Sequence, residues 1–302
     1  MNAKPRHGLP LPLGDDQLPY SKGLMARALI AIGVPADKAY GLAQRIELDL
    51  AERGERTVEV DRLLLLAQET LGDEEGERAA RRLSRLADLQ RLDLPIVVLI
   101  GGSTGTGKST VAAEVAHRLG ITRVASTDFI RQTMRAFFSR EFMPTIHYSS
   151  FEAGEALDDE VTGDPTIVGF VEQCRHVCVG VDAAIRRALT EGWSMVLEGV
   201  HLVPGMLPPE LEGALIVHVV VEISDPAVHR LHFHIRDAAT GGIRPMEKYL
   251  ERLDDIRRVQ TYVVGRARRE DVPVIENANV ERTIDQVIEL VMQAAERARQ
   301  TA

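Results

Sequence analysis

Ile96-Val97-Val98-Leu99-Ile100-Gly101-Gly102-Ser103-Thr104-Gly105-Thr106-Gly107-Lys108-Ser109-Thr110 decides how the rest of the chain is read. The first five residues are a continuous apolar run, the pattern of a strand buried on both faces. Gly102 to Ser109 fit G-x-x-x-x-G-K-[ST], the phosphate-binding loop. Val111, Val115 and Leu119 then recur at helical spacing, and Gly120 is a good C-terminal stop. Glycines let a loop backbone wrap an anion without Cβ clashes, so successive N–H groups can point at phosphates. The following helix N-terminus adds partial positive charge. In this pattern the lysine, Lys108, neutralises the β- and γ-phosphates and the hydroxyl of Ser109 holds Mg²⁺. The candidate ATP-binding residues are Gly102, Ser103, Thr104, Gly105, Thr106, Gly107, Lys108, Ser109 and Thr110.

Downstream, strand and helix patterns alternate. Arg123 to Ser126 reads as a second strand, Ser194 to Gly199 as a third, Leu215 to Ile223 as a fourth and Val272 to Asn277 as a fifth. Helical patterns begin near Phe129, span 166–191, form a pair around 225–265 broken at Ala239-Thr240-Gly241-Gly242, and close the chain. Such alternation implies a parallel sheet covered on both faces. The phosphates belong at the carboxyl ends of its strands. The polar, punctuated segment from Phe138 to Pro165 reads as a substrate-facing loop region.

Upstream, residues 1–19 are rich in Pro and Gly and read as a flexible arm. From Tyr20 the pattern is helical: stripes at Leu24, Ala28 and Ile32, at Ala39, Leu42, Ala43 and Ile46, from Leu63 to Leu71, and a charged fourth from Arg78 to Leu92. Residues 20–91 therefore form a small all-helical module. Through Pro19-Tyr20-Ser21-Lys22 and the helices after it, this module resembles the ATP-cone, a regulatory nucleotide-binding unit, although the basic strand that opens that unit is not evident. A structural or oligomerising role, by which the module would build a homo-oligomer, stands beside a second nucleotide site. The fold class is α/β: a parallel five-stranded P-loop sheet with helices on both faces over 92–302, preceded by that helical domain, with a lid at about 225–265.

Composition sets the outer limits. Apolar residues make up 45% of the 302, while aromatics are only 4%, so Leu, Val, Ile and Ala must build the core. A net charge of -9 argues against a nucleic-acid binder, which normally presents a basic surface. Cys174 and Cys178 lie one helical turn apart and form no metal pattern, consistent with a reducing compartment. No apolar run approaches the ~20 residues needed to cross a bilayer, and the N-terminus lacks a signal-peptide core. The expectation is a cytoplasmic protein with no membrane partner.

A P-loop specifies a nucleotide and leaves the reaction open. Asp128 follows the second strand, where a carboxylate can accept or orient an acceptor hydroxyl. Capping the helix is the competing role, and it suits Thr127 or Asp128 equally. Arg131 and Arg135 follow on the same helix and are candidates to bind an anionic substrate. Glu198 ends the third strand and can reach Mg²⁺ directly or through water. The lid carries Arg230, Arg236 and Arg244; a closing arginine stabilises charge on a transferring phosphoryl group, and Arg236 and Arg244 are the catalytic candidates. His229 and His232 share a helix face, but His234 lies about 200° around from His232, so the three form no metal face.

The P-loop, Ser126-Thr127-Asp128-Phe129-Ile130-Arg131, Pro144-Thr145-Ile146-His147-Tyr148-Ser149-Ser150, Gly169-Phe170-Val171-Glu172-Gln173 and Glu198-Gly199-Val200-His201-Leu202-Val203-Pro204-Gly205 together resemble the 2-phosphoglycerate kinase family. The resemblance runs from about Tyr20 to near the C-terminus. It implies a P-loop kinase that transfers the ATP γ-phosphoryl group to the 3-hydroxyl of 2-phosphoglycerate, and it adds His147, Gln173 and His201 as substrate-site candidates. The alternative from another class is a nucleotide-gated regulatory protein with slow hydrolysis, whose output would be the helical module.

Overall fold

The computed structural model describes residues 20–90, 92–158, 162–207, 213–240 and 246–301. The chain divides into two compact units. One comprises residues up to Leu94 together with Ala116–Thr122 and Met292–Ala302; the other comprises Pro95–Val115 and Arg123–Val291. The assignment of Met292–Ala302 to the helical unit differs from the sequence reading, which kept the whole terminal helix with the sheet.

The helical unit holds α1 (Lys22–Ala31), α2 (Ala36–Arg53), α3 (Val60–Leu71) and α4 (Asp73–Gln90). Ser21 caps α1 by accepting the Leu24 amide. Gly54, in the left-handed conformation at φ 68°, ends α2. Leu42, Ala43 and Ile46 of α2 and Leu63, Leu66 and Ala67 of α3 are buried, the stripes that the sequence spacing dictates. The buried carboxylate of Asp49 on α2 is paired with Arg62 on α3. On α4, Arg85 and Asp88 pair with Glu296 and Arg299 of the terminal helix, which is why the chain's last residues belong to this unit.

The larger unit is built on β1 (Ile96–Gly101), β2 (Val124–Ser126), β3 (Met195–Gly199), β4 (Leu215–Glu222) and β5 (Val274–Glu276). The order is β2-β3-β1-β4-β5, and every pairing is parallel. All five expected strands are therefore present in one parallel sheet. The P-loop leaves its central strand, flanked by β3 on one side and β4 on the other. β1 is buried throughout. Its side chains alternate between faces: Val97 and Leu99 share a core with Val177, Val181 and Ile185 of α7 (Pro165–Thr190).

After β1 come α5 (Lys108–Leu119) and, beyond β2, α6 (Thr127–Phe137). After β4 come α8 (Pro226–Thr240), α9 (Met246–Glu251) and α10 (Leu253–Arg269), and α11 (Val280–Thr301) follows β5. Much of the segment expected to form the lid is core. Val259, Val263, Val264 and Ala267 of α10 pack with Val220 of β4 and with Phe170 and Cys174 of α7. Phe151, Phe233, Leu253 and Ile256 form a second cluster that joins α8 and α10 to the loop after α6. The hinge glycines Gly241 and Gly242 lie outside the described residues.

Candidate active site

The parallel register brings the chemistry-bearing strand ends together. Ser126 of β2 is opposite Glu198 of β3, and Glu198 is opposite Ile100, two residues before Gly102. Neighbouring strands lie about 4.8 Å apart, so the end of β2 stands roughly 10 Å from the P-loop.

The P-loop is held from behind by residues that sequence reasoning left unassigned. His229 Nε2–H donates to Thr104 O at 2.8 Å and His232 Nδ1–H to Gly105 O at 3.0 Å, both from α8. Asn277, just past β5, donates from Nδ2 to Thr106 O at 2.9 Å and is itself oriented by Thr283. Three successive carbonyls are thus drawn toward α8 and β5. A trans peptide sets its C=O and N–H on opposite sides, so the amides of Gly105, Thr106 and Gly107 turn the other way, as an anion cradle requires. The glycines are also steric necessities. A Cβ on Gly105, at φ +88°, would stand 2.5 Å from the Phe233 ring, and one on Gly107, at φ +82°, would stand 2.5 Å from Asn277 Nδ2. Lys108 Nζ donates to Ser103 O at 3.0 Å, and Ser109 and Thr110 are exposed in the first turn of α5. The shared face of His229 and His232 was legible as an i, i+3 pair; their acceptors were not.

Burial lowers the pKa of His229, whose Nδ1 is buried with no hydrogen-bond partner in the described structure. The ring stacks on Phe233 at 5.2 Å, and Phe233 on Tyr249 at 5.1 Å. His234 has no part in this support.

The helix cap after β2 is Ser126, whose Oγ accepts the Phe129 amide at 3.0 Å. Neither Thr127 nor Asp128 serves as the cap, so the Asp128 carboxylate is free of that duty. It is 58% exposed, with Oδ1 3.5 Å from Arg131 Nε. Desolvation opposes its ionisation, but His201, Arg131 and Lys108 outweigh that and lower its pKa. Burial pushes His201 itself down to about 3. The imidazole is therefore neutral at physiological pH, and the cations that keep Asp128 ionised there are Arg131 and Lys108.

His201 and Gln173 were expected to meet substrate; both are fully buried. Gln173 Nε2 donates to the carbonyls of Thr145 and Tyr148, which turns its Oε1 toward His201. His201 Nε2–H then donates to that oxygen at 2.9 Å, and Nδ1 accepts the Thr127 hydroxyl at 2.7 Å. A Cβ on Gly199 would overlap the Thr127 side chain, so β3 and the start of α6 touch there. Arg131 is buried as well, and its Nη1 donates to Ile146 O and Tyr148 O, each at 2.8 Å. These three residues fix the loop over 144–148 to the helix that carries Asp128.

Of the other expected substrate residues, Arg135 is exposed and donates to Gln132 Oε1 at 3.0 Å. His147 Nε2 bonds Phe138 O at 3.0 Å. Glu198 is only 8% exposed, and among the described residues nothing donates a hydrogen bond to its carboxylate. Arg230 is exposed on α8. Arg244 and the side chain of Arg236 lie outside the described residues.

No family model matches the chain. Curated proteins named 2-phosphoglycerate kinase are similar along nearly its whole length. That of Methanopyrus kandleri is 37% identical over 276 residues, covering 91% of this chain and 84% of the relative. That of Pyrococcus furiosus is 36% identical over 280 residues, with 93% and 91% covered.

The chain belongs to the 2-phosphoglycerate kinase family.

The relative from Methanothermobacter thermautotrophicus, 38% identical over 273 residues with 89% of each chain covered, carries the same name. Membership of the 2-phosphoglycerate kinase family makes this chain a phosphotransferase and disfavours the nucleotide-gated regulatory reading. Among the described residues, no helix is long and apolar enough to cross a membrane.

Proposed function

We propose that this chain transfers the γ-phosphoryl group of ATP to the 3-hydroxyl of 2-phosphoglycerate, giving 2,3-diphosphoglycerate and ADP. The observation that carries the reading is Asp128. Its carboxylate is released from helix capping, open to solvent and ionised by Arg131 and Lys108, two strands from the P-loop. That separation leaves room for a γ-phosphoryl group and a small acceptor between the two.

The loop amides and Lys108 hold the β- and γ-phosphates of the nucleotide. Asp128 accepts a hydrogen bond from the acceptor hydroxyl and so aims its oxygen at phosphorus. As the new O–P bond forms and the bond from phosphorus to the bridging oxygen breaks, the hydroxyl proton passes to Asp128 and ADP departs with the electron pair. A carboxylate held below its usual range is a weak base. Its contribution is therefore mainly orientation, with proton uptake late in the transfer.

The residues present suit Mg²⁺. It binds commonly through one or two carboxylates plus substrate phosphates; Glu198 offers a buried carboxylate to which no described protein donor bonds, and Ser109, at the start of α5, offers an exposed hydroxyl. When bound, the ion would neutralise charge on the β- and γ-phosphates. One of Arg230, Arg236 and Arg244 would complete the site from α8 or the segment after it.

The test is acceptor-dependent ADP release in Mg-ATP with 2-phosphoglycerate, 3-phosphoglycerate and glycerate. The expected order places 2-phosphoglycerate first by orders of magnitude. A charge-assisted hydrogen bond to the missing phosphate is worth roughly 1.5–3 kcal/mol, and the 3-phosphate isomer presents the wrong oxygen. Equal kcat/KM for glycerate and 2-phosphoglycerate would remove the assignment of the acceptor.

A further inference from the structure

The acceptor proposed above carries a phosphate, yet each residue expected to bind it has part of its donor set committed within the protein. Arg131 is buried and spends Nη1 on two loop carbonyls, while its Nε, without a hydrogen-bond partner, faces Asp128. Arg135 bonds Gln132 on the exposed side of α6. His147 uses Nε2 on Phe138 O.

Arg140 is different. It is exposed, and its guanidinium carbon lies 4.7 Å from the centroid of the Tyr148 ring. Among the described residues it makes no ion pair and no hydrogen bond. Its sequence neighbour Glu141 bonds a backbone amide and Ser139, the main interactions that lower its pKa, and His147 and Arg140 add only smaller electrostatic contributions. A guanidinium stacked on an aromatic face keeps its in-plane N–H groups free, and those groups match a phosphate two at a time.

The platform beneath Arg140 is fixed. Tyr148 is the residue whose carbonyl receives both Arg131 Nη1 and Gln173 Nε2. The loop that positions Arg140 is therefore pinned to the helix bearing Asp128 and, through Gln173, to His201 at the end of β3. In a chain of net charge -9, an unpaired and preplaced cation at this point calls for an anionic ligand.

We infer that Arg140, stacked on Tyr148, is the residue that recognises the phosphate of the acceptor and sets the preference for a phosphorylated hydroxy acid over its unphosphorylated counterpart. This rests on the acceptor reading above. Arg131, in turn, is a positioning residue for the loop.

The experiment compares kcat/KM for 2-phosphoglycerate and for glycerate in the wild type, Arg140→Ala, Arg140→Lys and Arg135→Ala, together with KM for ATP. Because Arg140 is exposed and makes no buried contact, its variants should fold. Arg140→Ala should lower kcat/KM for 2-phosphoglycerate by about 10- to 100-fold, the loss of a charge-assisted pair. Glycerate and the KM for ATP should stay unchanged, and lysine should restore part of the loss. If Arg140→Ala keeps the wild-type discrimination, or lowers both acids in parallel, the assignment is overturned. The same holds if the loss appears in Arg135→Ala instead. A wild type that uses neither acid refutes the acceptor reading itself, and the role of Arg140 falls with it; a wild type that discriminates while Arg140→Ala also discriminates refutes only the role of Arg140.

Discussion

Replacing Gln173 by Leu removes the centre of the buried network without opening a large cavity. The His201 Nε2–H group loses its only acceptor in a fully buried site, a desolvation cost of about 1–3 kcal/mol. The Thr145 carbonyl keeps the Tyr148 amide at 3.3 Å, and the Tyr148 carbonyl keeps Arg131, so each loses one of two donors. Those losses cost about 1 kcal/mol apiece. The sum is about 3–5 kcal/mol, toward the lower end if His201 shifts its proton to Nδ1 and leaves a lone pair unpartnered instead. For a cooperative unit of this size that corresponds to roughly 6–20 °C in Tm. Trp193, the single tryptophan, packs against the core beside α7, so its fluorescence during urea unfolding reports on this unit. A Gln173→Leu midpoint equivalent to a change under about 0.5 kcal/mol, within the range of ordinary surface substitutions, would refute the network as described.

Lys108→Ala should lower turnover by about 10³-fold or more, measured as ADP release by a protein with unchanged circular dichroism. Asp128→Asn should lower kcat by about 10²–10⁴ while ATP affinity, read by calorimetry, stays within a few-fold. His201 is neutral in the fold down to about pH 3, whereas the unfolded chain binds a proton near 6.5. Its burial therefore costs stability as pH falls through 6.5, about 2 kcal/mol by pH 5, visible as a lower urea midpoint at pH 5 than at 7.5. Deleting residues 1–94 removes Arg85 and Asp88, the partners of Glu296 and Arg299, and uncovers Met292 and Ala295. That truncation should aggregate more than one that also ends at Val291, as size-exclusion chromatography would register.

The sheet was legible because each strand is a compact apolar run bounded by turn residues, and a parallel strand buried on two faces has little choice of composition. The P-loop was legible for a related reason: Gly105 and Gly107 tolerate no Cβ, so the backbone geometry is written into residue type. Less could be read where function depends on side chains meeting across the sheet. His229, His232 and Asn277 support the loop through its carbonyls, and carbonyl acceptors leave no trace in a sequence. Ser126 took the cap expected of Thr127 or Asp128, since one residue of register separates all three roles. His201, Gln173 and Arg131 were expected to bind substrate and are instead buried in a network that holds the loop over 144–148; spacing alone does not distinguish a residue that touches substrate from one that holds a loop. The terminal helix was divided between units by Arg85, Asp88, Glu296 and Arg299, whose pairing joins residues some 200 positions apart.

The most direct test of phosphoryl transfer to the 3-hydroxyl is the ³¹P spectrum of the product formed from 2-phosphoglycerate and Mg-ATP. Transfer to that oxygen gives two phosphomonoester resonances of equal area, one split by a single proton and the other by two, with ADP in equal amount. A spectrum that shows ADP and inorganic phosphate, with the 2-phosphoglycerate resonance unchanged, would contradict it.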